Sequence, residues 1–254
     1  MKPLISIAAC ASMLWGAALA GEIPANIQAA IDNPLRSEEN RGRDEDRKPG
    51  KVLAFYGVKE GMTVVDLASG GGYFTEIIAG AVGAKGEARA QNQAGDRFEE
   101  RKAALEAQYA PFGNIVIDAT EPGGPLPYED ASVDMVLLSL IIHHLHYAED
   151  SEEAMPARSA EIYADIRRIL KPGGVFAIIE HKAPNGSSRQ QSAEWHRIPE
   201  DVMIADVTGA GFTFEGSADD IHNNPEDDLQ NFWGDTGLRG KTTRLVHRYV
   251  KPAK

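Results

Sequence analysis

Two stretches of this chain hold residue types whose spacing could organise chemistry. The first is Val64-Val65-Asp66-Leu67-Ala68-Ser69-Gly70-Gly71-Gly72-Tyr73-Phe74-Thr75. An apolar run ends in a carboxylate, a turn of small residues follows, and then apolar positions recur at helical spacing at Phe74, Ile77, Ile78, Ala81 and Val82. Small residues let the backbone of such a turn approach a ligand closely, and the first turn of a helix offers N–H groups without intrahelical partners. The stretch is a candidate cradle built mostly from backbone. Thr75 stands where the dinucleotide fingerprint G-x-G-x-x-G needs its last glycine, and no G-x-x-x-x-G-K-[ST] loop occurs, so neither a dinucleotide nor a nucleotide triphosphate is the ligand it predicts.

The second stretch is Leu140-Ile141-Ile142-His143-His144-Leu145-His146, directly after an apolar strand pattern. An imidazole titrates near neutrality, so a ring at a strand's carboxyl end can take a proton from a substrate. His143 and His144 are the candidate catalytic groups. The competing use of these rings is to cap the strand and pack beneath a loop. Three histidines in four positions also suggest a metal, but no Asp or Glu sits at helical or strand spacing to complete a set, and none is expected. His181, past a later apolar run, is a further candidate whose alternative is an exposed strand end.

Such groups need a frame. From Thr63 onward short β-rich runs alternate with helical patterns: Thr63–Leu67 then Tyr73–Val82, Glu87–Gln91 then Phe98–Tyr109, Ile115–Ile117, Val133–Leu140 then Glu161–Leu170, and Val175–Ile179 then Glu200–Thr208. Alternation of this kind predicts a mostly parallel sheet with helices on both faces. Phe212–Ser217 and Thr243–Val250 lack a full crossover helix between them and read as an antiparallel pair at the C-terminal edge. The expectation is one α/β domain with a seven-stranded sheet over 49–254, preceded by a charge-dense extension, 21–48. That extension lacks a sustained apolar stripe and should wrap the surface or be partly mobile. Residues 1–20 carry Lys2, an apolar run from Leu4 to Leu19 and the small-x-small triplet Ala18-Leu19-Ala20, the pattern of a secretory signal peptide. This predicts an exported, periplasmic protein without a stable membrane span after cleavage.

Composition narrows the function. The formal net charge is -12, which opposes tracking of nucleic-acid phosphates, so no nucleic-acid partner is expected. Cys10 is the single cysteine and lies inside the predicted signal, which excludes disulfides, a thiolate nucleophile and thiol-based arsenic methylation from the mature chain. No G-x-S-x-G elbow occurs to support a hydrolase on a similar sheet.

The glycine stretch resembles the first motif of class I S-adenosylmethionine-dependent methyltransferases. Asn114-Ile115-Val116-Ile117-Asp118-Ala119, Ser132-Val133-Asp134-Met135-Val136-Leu137-Leu138-Ser139 and Ile169-Leu170-Lys171-Pro172-Gly173-Gly174-Val175 resemble its third strand, its fourth strand and the turn into its fifth. The resemblance spans about residues 50 to 251 and is nearest to exported, uncharacterised bacterial members. It implies a Rossmann-like methyltransferase fold, S-adenosylmethionine as cofactor, and a small-molecule acceptor. It further implies Asp66 near the methionine end, Ala68, Ser69, Gly70, Gly71 and Gly72 along the cofactor, Asp118 and Ala119 by the adenine, and Ser139 at the end of the fourth strand. Ala68 departs from the usual glycine. A larger departure lies in the second strand, where the family commonly has an acid for the ribose hydroxyls and this chain has Gln91 and Asn92. A neutral acceptor there is about 1 kcal/mol weaker than a charged one. This keeps a non-catalytic, exported S-adenosylmethionine or nucleoside-binding module as the alternative to an enzyme.

The acceptor side is expected from the C-terminal third, where His196-Arg197-Ile198-Pro199-Glu200 opens a helix. Asp219, Asp220, Asp227 and Asp228 lie in a polar excursion that reads as a solvated acidic loop, without the glycine-centred spacing of a calcium site. The sequence does not name the acceptor or the oligomeric state.

Overall fold

The computed structural model describes residues 22–145, 154–218, 220–233 and 235–253. The predicted signal segment, His146 and Asp219 lie outside them.

Four short helices come first: α1 (Ala25–Ile31), α2 (Glu38–Arg41), α3 (Asp44–Arg47) and α4 (Pro49–Tyr56). The alternating core follows as β1 (Thr63–Leu67), α5 (Tyr73–Val82), β2 (Glu87–Gln93), α6 (Asp96–Tyr109), β3 (Ile115–Thr120), β4 (Val133–Ser139), α7 (Ile142–Leu145), α8 (Ala154–Ile169) and β5 (Leu170–Ala183). The chain ends with α9 (Arg189–Trp195), β6 (Ile198–Pro199), α10 (Glu200–Gly209), β7 (Thr213–Ser217) and β8 (Arg244–Val250).

The strand order is β3-β2-β1-β4-β5-β8-β7, parallel as far as β5 and antiparallel where β8 meets β5 and β7. The seven expected strands are all present. The eighth, β6, is a two-residue bridge to the end of β5, too short to leave a periodic signature. The order reverses between β1 and β4, and ligands of open α/β sheets bind outside the carboxyl ends of strands at such a point.

The central strands are apolar because both sheet faces are covered. One layer packs Ile77, Ile78, Val52 and Leu53 against Val64 and Leu137, and the other packs Tyr163, Ile166, Met203 and Val207 against Val136 and Phe176. Strands buried on both sides show continuous apolar runs in place of alternation.

The N-terminal extension packs on the domain and enters its core. Ile27 and Ala30 are buried on α5, and a methyl group at Gly80 would come within 2.8 Å of the Ala30 side chain, so the glycine sets how closely α1 lies on α5. Arg36 is buried and grips Asp44 through two bonds of 2.7 Å, while buried Glu76 of α5 accepts from Asn40 Nδ2 at 3.0 Å. Two apolar contacts and a few polar clamps need no long stripe. Among the described residues, no helix is long and apolar enough to cross a membrane.

Candidate functional site

The β1–α5 turn is shaped by left-handed backbone at Ala68 (φ 57°), Gly70 (φ 57°) and Gly72 (φ 74°). Ala68 adopts with a side chain the conformation glycine takes freely, at a cost of about 1–2 kcal/mol. The two glycines differ in what constrains them. A side chain at Gly70 would meet only the Ala68 carbonyl, at 3.9 Å, whereas one at Gly72 would sit 1.8 Å from the Tyr109 hydroxyl. Gly70 borders open space, and Gly72 is held by packing against α6.

That open space is a cavity of about 380 Å³, lined by Ala68, Gly70, the Asn92–Phe98 stretch and Arg101. Its volume falls in the range of about 300–1,000 Å³ usual for small-ligand sites. It opens at the carboxyl ends of β1 and β2, beside the reversal in strand order.

The residues implied by the resemblance take different positions. Asn92 lines the cavity, with its amide nitrogen donating to Ser69 Oγ and to the Ala90 carbonyl, both at 3.1 Å. Its hydrogens are thereby used, and its carbonyl oxygen is what it can offer a hydroxyl. Gln91 does not line the cavity. It is buried, accepting from the Ala68 amide at 3.3 Å and donating to the Asn92 carbonyl at 2.7 Å, so it braces the loop where a ribose contact was expected. The Asp118 carboxylate takes Arg89 Nε at 2.9 Å and the Tyr128 hydroxyl at 3.0 Å, and an adenine amino group would have to share it. Ala119 beside it is exposed, Gly71 accepts from Gln108 at 3.2 Å, and Ser139 ends β4 opposite Ile179.

Asp66 is buried behind the loop, accepting from the Thr75 hydroxyl at 2.6 Å. Burial pushes its carboxyl up to about 6, against the opposing pull of Thr75 and the Arg47 charge.

At the ends of β4 and β5 the structure assembles a second group. His143 and His144 stand on α7, one turn past Ser139, and their rings lie 4.2 Å apart between centroids. His196 faces both from 5.4 Å. Below them Glu180, wholly buried in β5, accepts from the His143 amide at 3.1 Å, from the His181 amide at 2.7 Å and from His143 Nδ1 at 2.8 Å. Burial raises the Glu180 carboxyl, but interaction with His143 and these bonds outweighs it, and the group ends below its ordinary value. With Glu180 ionised, the hydrogen-bond pattern puts the proton of the His143–Glu180 contact on Nδ1. Partial burial and the neighbouring rings of His143 and His196 push His144 down to about 4.

His181 is neither exposed nor free. It is buried, with Nδ1 2.7 Å from the Thr242 hydroxyl and its ring against Phe232, and burial lowers it to about 3. The acidic loop also differs from its reading. Asp220 and Asp228 are exposed, but the Asp227 side chain is wholly buried and clamps Arg197 at 2.7 and 3.1 Å while accepting from the Thr243 amide at 2.7 Å. Arg197 also bonds the Gln230 and Lys182 carbonyls. An arginine with no route to solvent needs a carboxylate, and the loop supplies it.

Sequence reasoning missed His196 and Glu180 as site residues, and the wall of the cavity formed by residues 93–98 and Arg101. The one available signal was Glu180, a charge immediately after an apolar strand, which must find partners when buried.

Comparison with known proteins agrees with this geometry. Residues 65–178, from β1 into β5, match a family described as a methyltransferase domain. That match takes in somewhat under half of the chain, the part that holds the glycine turn and the central strands. A methyltransferase from Aquifex aeolicus, named as S-adenosylmethionine-dependent, has the same fold with a TM-score of 0.58 and 18% identity, over 89% of this chain and 98% of that one. A second, from Mesorhizobium loti, gives 0.56 and 18%, over 82% and 100%. In sequence, the chain is 26% identical over 158 residues to the 2-phytyl-1,4-naphtoquinone methyltransferase of Trichormus variabilis. That match covers 62% of this chain and 63% of the relative, less than two thirds of its length.

Proposed function

We propose that this protein transfers the methyl group of S-adenosylmethionine to a small-molecule acceptor. The observation that carries this reading is the cavity beside the left-handed turn at Ala68 and Gly70, at the reversal of strand order, within a methyltransferase domain. When bound, the cofactor supplies a methyl on a sulfonium, a centre open to in-line attack.

The chain's part is to bind and align. Gly70 leaves space for a ligand to pass its backbone, Asn92 offers a carbonyl oxygen to a hydroxyl, and Asp66 places a costly buried carboxyl behind the turn. Positioning alone is worth several kcal/mol when reacting atoms are held about 3–3.5 Å apart, so transfer does not require a base. His143 and His144 stand on the acceptor side, beyond the end of β4, where Nε2 of His143 is available to a proton or to a cation. Phe232, Trp233 and His196 add flat surfaces there, with Trp233 48% exposed and 5.2 Å from His196. The T. variabilis relative is named for a ring-shaped acceptor, and faces of this kind pack against rings.

Calorimetry with S-adenosylmethionine and its demethylated product tests the reading: stoichiometric binding, lost in Gly70→Val, is expected. Absence of binding in a folded protein would remove it. The non-catalytic alternative is not favoured, because residues 65–178 match a methyltransferase domain.

Export is part of the same proposal, supported by the apolar run and Ala18-Leu19-Ala20. Intact-mass measurement on periplasmic protein should show a chain beginning at Gly21. Recovery only from cytosol with residues 1–20 retained would refute it.

A further inference from the structure

We propose that His143, His144 and His196 form a binding site for a divalent transition-metal ion of the zinc class, with Glu180 orienting the buried ligand.

The geometry comes first. Each of the three residues offers a ring nitrogen, and these atoms all lie within 4.8 Å of one another. Atoms no further apart than this can share a centre at most about 2.8 Å from each, so zinc–imidazole bonds of about 2.0–2.1 Å ask each ring to move inward by no more than about 0.8 Å. His144 is exposed and His196 only partly buried, so both have room to turn.

A second observation is independent of that distance. His143 is 5% exposed, and its Nε2 has no hydrogen-bond partner among the described residues. A buried, unpartnered ring nitrogen is costly, and its neighbours here are other imidazoles. The opposite nitrogen, Nδ1, is held at 2.8 Å by Glu180, whose carboxylate also takes two backbone amides and therefore cannot swing away. A carboxylate on one ring nitrogen fixes the orientation of a metal-ligating histidine and leaves the other nitrogen to bond the ion.

The backbone that carries the third ligand is well held, while its ring can turn. His196 sits in left-handed backbone (φ 53°) between the end of α9 and Arg197, and the Arg197–Asp227 clamp with its carbonyl bonds fixes that corner. Trp233 borders the ring on the open side.

Three nitrogens, with no oxygen ligand among the described residues, select a first-row transition dication over magnesium or calcium, which take oxygen. Three protein ligands leave a coordination position for water or an acceptor, as in catalytic zinc sites. Its use toward a methyl acceptor rests on the proposed function; the ion site itself does not.

The test uses the full chain, purified without an affinity tag and stripped with a chelator. Zinc alone is titrated against a chromophoric competitor, with His144→Gln, His196→Gln and the double variant alongside. One zinc per chain is expected, with affinity at least ~10-fold weaker in each single variant and lost in the double one. Cobalt(II) should give the strong visible absorption of a four-coordinate site, lost in the same variants, whereas magnesium should not compete. Both substitutions lie at accessible positions, and thermal unfolding should confirm that the variants remain folded. No zinc binding by the parent chain, or equal binding by the folded double variant, overturns the proposal. Neither readout uses methyl donor or acceptor, so failure here leaves the methyltransferase reading to its own titration.

Discussion

Replacing Asp66 by Asn should make the protein more stable near neutral pH while weakening its hold on the methyl donor. The carboxyl is buried, with the Thr75 hydroxyl at 2.6 Å, and is raised from 3.8 to about 6. At about 1.4 kcal/mol per pH unit, that shift represents about 3 kcal/mol. The sign follows from linkage: a raised carboxyl favours the folded state while protonated, so this contribution is present below pH 4 and is lost as pH rises through 6. The substituted amide cannot ionise, yet its carbonyl oxygen can still accept from Thr75. The stability difference between variant and parent should therefore move by about 2.4 kcal/mol in favour of Asp66→Asn between pH 4 and pH 7, most of the full shift. Urea denaturation of both proteins across that range measures it, and the other titrating groups cancel in the difference. Two parallel stability curves would refute the reasoning. Calorimetry at pH 7 supplies the functional half: a chain that keeps an ionised group here at such a cost should lose donor affinity without it.

The two turn glycines should separate binding from packing. Gly70→Val should abolish donor binding with a loss of about 1–2 kcal/mol from its left-handed φ, whereas Gly72→Val must displace Tyr109 and should lower the denaturation midpoint further; equal midpoints would contradict this. Breaking the buried clamp by Arg197→Ala should cost about 3–5 kcal/mol in chemical denaturation, because Asp227 is left buried and unpaired. His143→Gln should reduce turnover on an identified acceptor with donor affinity in calorimetry unchanged, and unaltered turnover in both His143→Gln and His144→Gln would remove these rings from the reaction.

The parts of the chain that were legible in its sequence are those governed by local rules. The Tyr73–Val82 helix lies where its apolar spacing and Gly83 put it, and the β1 run needs both faces covered whatever surrounds it. The order of strands and helices follows from such patterns, because hydrophobic periodicity is a property of neighbouring residues. The sites depend on distance in space. Gln91 and Asn92 adjoin in sequence and carry similar amides, but opposite faces of one strand send the first to brace the loop and the second to the cavity. Asp227 looks like its exposed neighbours until Arg197, thirty residues earlier, is brought against it. His143 and His196 lie on elements separated by α8 and β5, and only their packing sets the rings 5.4 Å apart over Glu180. Local pattern determines which segments become strands and helices; which polar groups meet is decided when those elements pack, since a buried charge or imidazole takes whatever partner the tertiary structure places within reach.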